Sequence, residues 1–206
     1  MITNYDELKA AVQSWLKRDS LDNEIPNFIQ LAEAHFNRTI RTTEMEIRAT
    51  VAATGEFVAL PDDFLAMREI HAEGTKDRPL KYVTPQELSH LEYSGYTGVP
   101  FAYSIMDGQI KLYPAPSVED ELQIETIYIQ KIPELSDTNS NNWLLDSHPD
   151  IYLHGALHQA EGFFHNDRRM PIWERKCDIA IAQLNDSANR SRIGSGPMIP
   201  RVRTVI

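Results

Sequence analysis

The sequence predicts an α+β protein: an antiparallel helix bundle built from both chain ends, a β-rich insert between them, and an extended C-terminal arm. Three observations carry that prediction. Apolar residues recur at intervals of three and four through residues 5–40 and 149–188, the spacing of helices that bury one face. Between them lie short β-compatible runs punctuated by Gly, Pro and Asp. After Ser191 come Gly194, Gly196, Pro197 and Pro200, which forbid a continuing helix.

Each element follows from local chemistry. Asn4, with Glu7 three residues later, fits a capping box. Behind it Tyr5, Leu8, Val12, Trp15 and Leu16 make an apolar stripe, which the polar residues 17–23 interrupt. Pro26 suits a first helical turn, where its missing N–H costs little. Ile25, Ile29, Ala32, Phe36 and Ile40 then line a second helix, expected to form an antiparallel hairpin with the first. From about residue 44 the period changes: residues 45–53 and 56–60 flank Thr54-Gly55, and Pro61-Asp62-Asp63 is a turn. Thr84-Pro85-Gln86-Glu87 opens a short helix with a capping box and proline at its first position. Asp107-Gly108 is the strongest hairpin signal, because both positions tolerate positive φ. Residues 122–131 form a long strand whose apolar set shifts phase near Glu125; a bulge or burial on both faces would each explain it. After a polar loop at 136–142, Pro149 opens a helix with Leu153, Leu157, Ala160 and Phe164 on one face. Asp167 caps the last helix, where Met170, Trp173, Cys177, Ile181, Leu184 and Ala188 recur. The expected organisation is residues 1–43 plus 143–190 as the bundle, 44–132 as the insert and 191–206 as the arm.

Charge narrows the function. The 206 residues carry 20 basic and 30 acidic side chains, net −10. The last acid is Asp186, and beyond it lie only Arg190, Arg192, Arg201 and Arg203. An acidic body repels a phosphate backbone, so a grip on nucleic acid is not expected of it. A short basic tail on that body suits a peptide arm that docks elsewhere. The arm's apolar and basic residues are Met198, Ile199, Arg201, Val202, Arg203, Val205 and Ile206. They suit an extended peptide that adds to another protein's sheet edge or groove. The single cysteine, Cys177, excludes an intrachain disulfide and a thiolate-built zinc site. No signal peptide or membrane span is expected from the pattern.

Chemistry-bearing motifs are few. The sequence contains no P-loop, dinucleotide fingerprint, HExxH, nucleophile elbow or CxxC. His154, His158, Glu161 and His165 fall at i, i+4, i+7 and i+11, which would set all four along one helical face as a weak zinc site. That row supports the alternative reading, a small metal-dependent enzyme or ligand-binding module; a solvated polar stripe is the plainer account. Gly95-Tyr96-Thr97-Gly98 matches the short GXXG pattern of a nucleic-acid-binding loop, without a flanking basic cluster. Tyr93, Tyr96 and Phe101 around it are expected to pack or to meet a partner. Trp15, Trp143 and Trp173 suit core or interface anchors. Glu119, Asp120 and Glu121 form an acidic run without a nucleophile beside it. The expectation is a protein that is not an enzyme and needs no cofactor.

Several segments together resemble one family. They are Tyr5-Asp6-Glu7-Leu8-Lys9, Ser14-Trp15-Leu16-Lys17-Arg18 and the stretch from Ile25-Pro26-Asn27-Phe28 to Ala34. Phe57-Val58-Ala59-Leu60-Pro61-Asp62-Asp63-Phe64-Leu65 and Pro79-Leu80-Lys81-Tyr82-Val83-Thr84-Pro85 continue the pattern, as do Asn142-Trp143-Leu144-Leu145 and Pro149-Asp150-Ile151-Tyr152. In this order they resemble the head-to-tail adaptor proteins of short-tailed phages. The resemblance implies a virion protein assembled in the host cytoplasm as a ring of twelve beneath the portal protein. Such a ring extends the DNA channel, joins portal to tail nozzle protein and helps seat tail fibres. DNA would pass through without specific binding and no membrane would be involved. The resemblance further implies that the arm reaches the portal. Glu119, Asp120 and Glu121 would then face the channel, the nozzle or a ring neighbour.

Overall fold

The computed structural model describes residues 1–18, 21–73, 78–116, 122–165 and 168–192. It is a mixed α+β fold that divides into two compact units. One comprises Met1–Thr43 with Glu134–Ile206, the other Glu44–Pro133.

In the first unit, α1 (Tyr5–Leu16) begins where the Asn4 side chain accepts the Glu7 N–H at 2.9 Å. The Glu7 carboxylate returns to Thr3, taking its N–H at 2.8 Å and its hydroxyl at 2.9 Å, so the reciprocal half of the box sits one residue early. α1 stops at Lys17, whose φ of 52° is left-handed. α2 (Ile25–Thr39) has proline in its first turn and buries Ile25, Phe28, Ile29, Ala32 and Phe36. Asn142 caps α4 (Trp143–Ser147), a helix the apolar spacing does not announce because it is little more than one turn. α5 (Pro149–Phe163) buries Ile151, Tyr152, Leu153, Ala156, Leu157 and Ala160 over most of its circumference. It is the common partner: α1, α2, α4 and α6 (Met170–Arg192) all pack on it, and α1 meets α2 more sparingly than it meets α5. α6 buries Cys177, Ile181, Leu184 and Ala188. The Asp167 cap lies outside the described residues.

Gly155 is required by this packing. A Cβ there would stand 2.6 Å from Phe36 Cζ and 3.2 Å from Ala32 Cβ, so only glycine lets α5 approach α2 this closely. Phe36 in turn meets the Tyr152 ring edge-on at 5.2 Å.

The second unit holds two sheets. β7 (Leu122–Gln130) lies between β1 (Glu46–Ala53) and β3 (Phe64–Ala72), antiparallel to both. β2 (Phe57–Ala59), β6 (Gln109–Tyr113), β5 (Ala102–Met106) and β4 (Lys81–Tyr82) form the other, in that order, with β4 parallel to β5. Ala53, Val58, Ile70, Tyr103, Leu112 and Ile124 share one core, so strands of both sheets contribute to it. The runs flanking Thr54-Gly55 are thus strands of different sheets. β3 carries the register shifts against β7, between Phe64 and Ala66 and between Met67 and Glu69. The Asp107-Gly108 hairpin joins β5 to β6 with φ of 52° and 69° at its two turn residues. α3 (Pro85–Glu92) has the complete Thr84/Glu87 capping box and buries Leu88.

Candidate functional site

A buried polar cluster lies in the first unit. Glu33 sits on α2 between Ile29 and Phe36 and is only 3 % exposed. Its Oε1 accepts the Leu135 N–H at 2.9 Å and the Tyr152 hydroxyl at 3.0 Å. Asn142 donates to the Tyr152 hydroxyl oxygen at 2.7 Å, while its own Oδ1 takes the Leu145 N–H at 2.9 Å. One carboxyl therefore joins α2, α5 and the loop by which the chain re-enters this unit. Burial pushes the Glu33 carboxyl up to about 7; the bonds from Leu135 and Tyr152 oppose the rise and Glu134 adds to it. Burial, then the nearby Glu33 charge, raises the Tyr152 phenol. Asn185 on α6 fastens the other crossing, accepting the Arg41 N–H at 2.8 Å and donating to the Thr39 carbonyl at 2.9 Å.

The histidine row does not form one site. α5 ends at Phe163, and the Phe164 N–H turns back to the Ala160 carbonyl, so His165 lies beyond the helix with φ of 56°. This corrects the expected four-residue face and removes Phe164 from the helical stripe. The remaining members are engaged separately. His154 stacks on Trp173 at 5.7 Å, and burial, aided by Lys176, lowers its pKa. His158 Nδ1 lies 3.4 Å from the Met170 carbonyl, and buried Glu161 lies 3.7 Å from Arg169. Among the described residues, no group of three His, Cys, Asp or Glu side chains is placed to hold a metal ion. Cys177 is buried, and its thiol is pushed up to about 12, chiefly by that burial. Trp173 is half-buried and meets Trp15 edge-on at 5.5 Å, while Trp15 itself remains 47 % exposed instead of joining the core.

In the second unit, the loop after α3 exposes Tyr93, Tyr96, Val99 and Phe101, with Tyr93 97 % accessible. The acids Glu119, Asp120 and Glu121 and the arm residues Met198, Ile199, Arg201, Val202, Arg203, Val205 and Ile206 lie outside the described residues. Sequence reasoning missed the Glu33 cluster. Its signal was a carboxylate at i+4 from Ile29 and three residues before Phe36, inside an otherwise apolar stripe. No helix among the described residues is long and apolar enough to cross a membrane.

A buried carboxyl, phenol and amide that tie chain segments together, in a fold of helices and two small sheets, have the make-up of a structural component. The chain belongs to the SU10 adaptor protein family, whose pattern matches residues 3–201. It is accordingly a phage adaptor protein, a structural part of the virion that works through contacts with other head or tail proteins. No curated protein matches the sequence.

Proposed function

We propose that the protein is the head-to-tail adaptor of a short-tailed phage, assembled in the host cytoplasm as a ring of twelve between the portal protein and the tail nozzle protein. The observation that carries this reading is the family match across nearly the whole chain, residues 3–201. The helices of both chain ends form the ring's bundle frame. The β-rich insert, residues 44–132, faces a ring neighbour, the channel or the nozzle. Glu119, Asp120 and Glu121 add to the insert's negative charge, and a net charge of −10 lets DNA slide past without being held.

In this reading residues 191–206 are the portal-docking arm. Met198, Ile199, Val202, Val205 and Ile206 supply apolar contacts, and Arg201 and Arg203 pair with carboxylates of the portal. Deleting residues 194–206 tests it. The thermal melt is expected to stay where it is while portal binding is lost. Full portal affinity in the truncated chain would move docking to the helical face.

A further inference from the structure

The loop that follows α3 presents its aromatic side chains on a braced backbone. The Tyr96 N–H donates to the Tyr113 hydroxyl oxygen at 3.2 Å, and that hydroxyl donates to the Leu91 carbonyl. Phe101 donates its N–H to the Tyr113 carbonyl at 2.9 Å and accepts the Lys81 N–H at 2.9 Å. Two grooves flank the loop and meet at Thr97 and Ala115. One, of about 440 Å³, is lined by Val99, Pro100, Ala115 and Pro116. The other, of about 310 Å³, is lined by Tyr96, Tyr113, Glu56 and Glu92. Several large apolar side chains exposed within one short loop mark a contact surface.

Its charge is defined too. Lys111 is shared between Glu56 at 2.8 Å and Glu92 at 2.5 Å, so two carboxylates face one ammonium and one negative charge is left over. A fitting occupant is extended and apolar and carries a cation beside its apolar part. The chain contains such a segment: Pro197-Met198-Ile199-Pro200-Arg201-Val202-Arg203. Prolines three apart favour the polyproline II form, which loses little entropy on docking and suits aromatic-lined grooves. An arginine beside them pairs with carboxylates and stacks on tyrosine. The segment carries +2 and no acid. The fourteen residues after Arg192 span up to roughly 46 Å when extended, enough to leave their own helical unit.

We propose that the aromatic groove of the second unit is a docking site for residues 197–203 of a second copy of the chain. Prolines lie against Val99 and Tyr96, and Arg201 sits at the Glu56–Glu92 end. The same residues cannot occupy this groove and the portal at once, so in the free protein the groove holds the segment that the portal later takes.

The test uses a fluorescein-labelled peptide of residues 193–206 and the full chain carrying Arg201→Glu, which weakens competition from its own segment. Anisotropy is expected to show saturable binding. Tyr96→Ala added to that chain, or Glu92→Lys in a chain that keeps Arg201, is expected to weaken it at least tenfold with an unchanged melt. A peptide carrying Arg201→Glu should regain affinity on the Glu92→Lys chain. No binding, equal binding to the Glu92→Lys chain, or no regain with the swapped pair would overturn the assignment. Light scattering of the chain otherwise unaltered then separates copies: Glu92→Lys should lower the self-associated mass. An unchanged mass would place the segment in its own chain's groove and overturn the second-copy assignment. No portal is present in either assay, so the outcome is independent of the portal reading.

Discussion

Replacing Glu33 with Gln removes a titrating proton and little else. The amide carbonyl can accept the Leu135 N–H and the Tyr152 hydroxyl as Oε1 does now. The folded chain holds the Glu33 carboxyl at about 7 against an ordinary value of 4.5. A carboxyl raised on folding favours the native state while it stays protonated. Its contribution is therefore complete below about pH 4.5, falls as the pH rises towards 7, and is lost above that. A shift of this size corresponds to about 3 kcal/mol in full, most of it lost between pH 5 and pH 8. Other titrating groups are common to both proteins and cancel in the difference. Urea titrations of the wild type and Glu33→Gln at pH 5 and pH 8 measure it. The two should be within about 1 kcal/mol at pH 5, with the Gln variant ahead by about 3 kcal/mol at pH 8. A difference that does not change with pH, or a Gln variant that is weaker at pH 8, would mean that folding does not raise the Glu33 carboxyl.

Gly155→Ala forces a methyl against Phe36 and Ala32; overpacking of about 1–3 kcal/mol, less up to about 1 kcal/mol of gained helix propensity, should leave a net loss in denaturant titration. Trp173→Ala should cost about 1–2 kcal/mol, below the roughly 3–5 kcal/mol of a fully enclosed tryptophan, because this ring is half-buried and gives up one stack on His154 and one edge contact with Trp15. A cost above about 4 kcal/mol would mean that the ring is fully enclosed and not half-buried.

What the sequence made legible was local. The Asn4–Glu7 and Thr84–Glu87 caps and the Asp107-Gly108 turn rest on contacts within three or four residues, and the structure contains all three. Pairing between distant strands was not legible. Nothing in residues 45–60 says that β1 joins β7 while β2 joins β6, because strand partners are chosen by the shared core around Val58, Ile70 and Ile124. β3 is hard to see because its bulges break the alternation that marks a strand. His165 looked helical because periodicity takes no account of where a helix stops, and the left-handed residue after Phe164 is set by the backbone. Glu33 was hidden for the opposite reason. Its neighbours announce a buried face, but its partners, Leu135 and Tyr152, are more than a hundred residues away.

In the function proposed above, the chain closes into a ring on the portal. The most direct measurement is the mass of the complex formed when purified full-length chain is added in excess to assembled portal, read by light scattering or native mass spectrometry. One closed species carrying twelve copies of the chain, unchanged by further excess, is expected. A portal that gains no mass, or a complex that grows without a fixed stoichiometry as more chain is added, would contradict it.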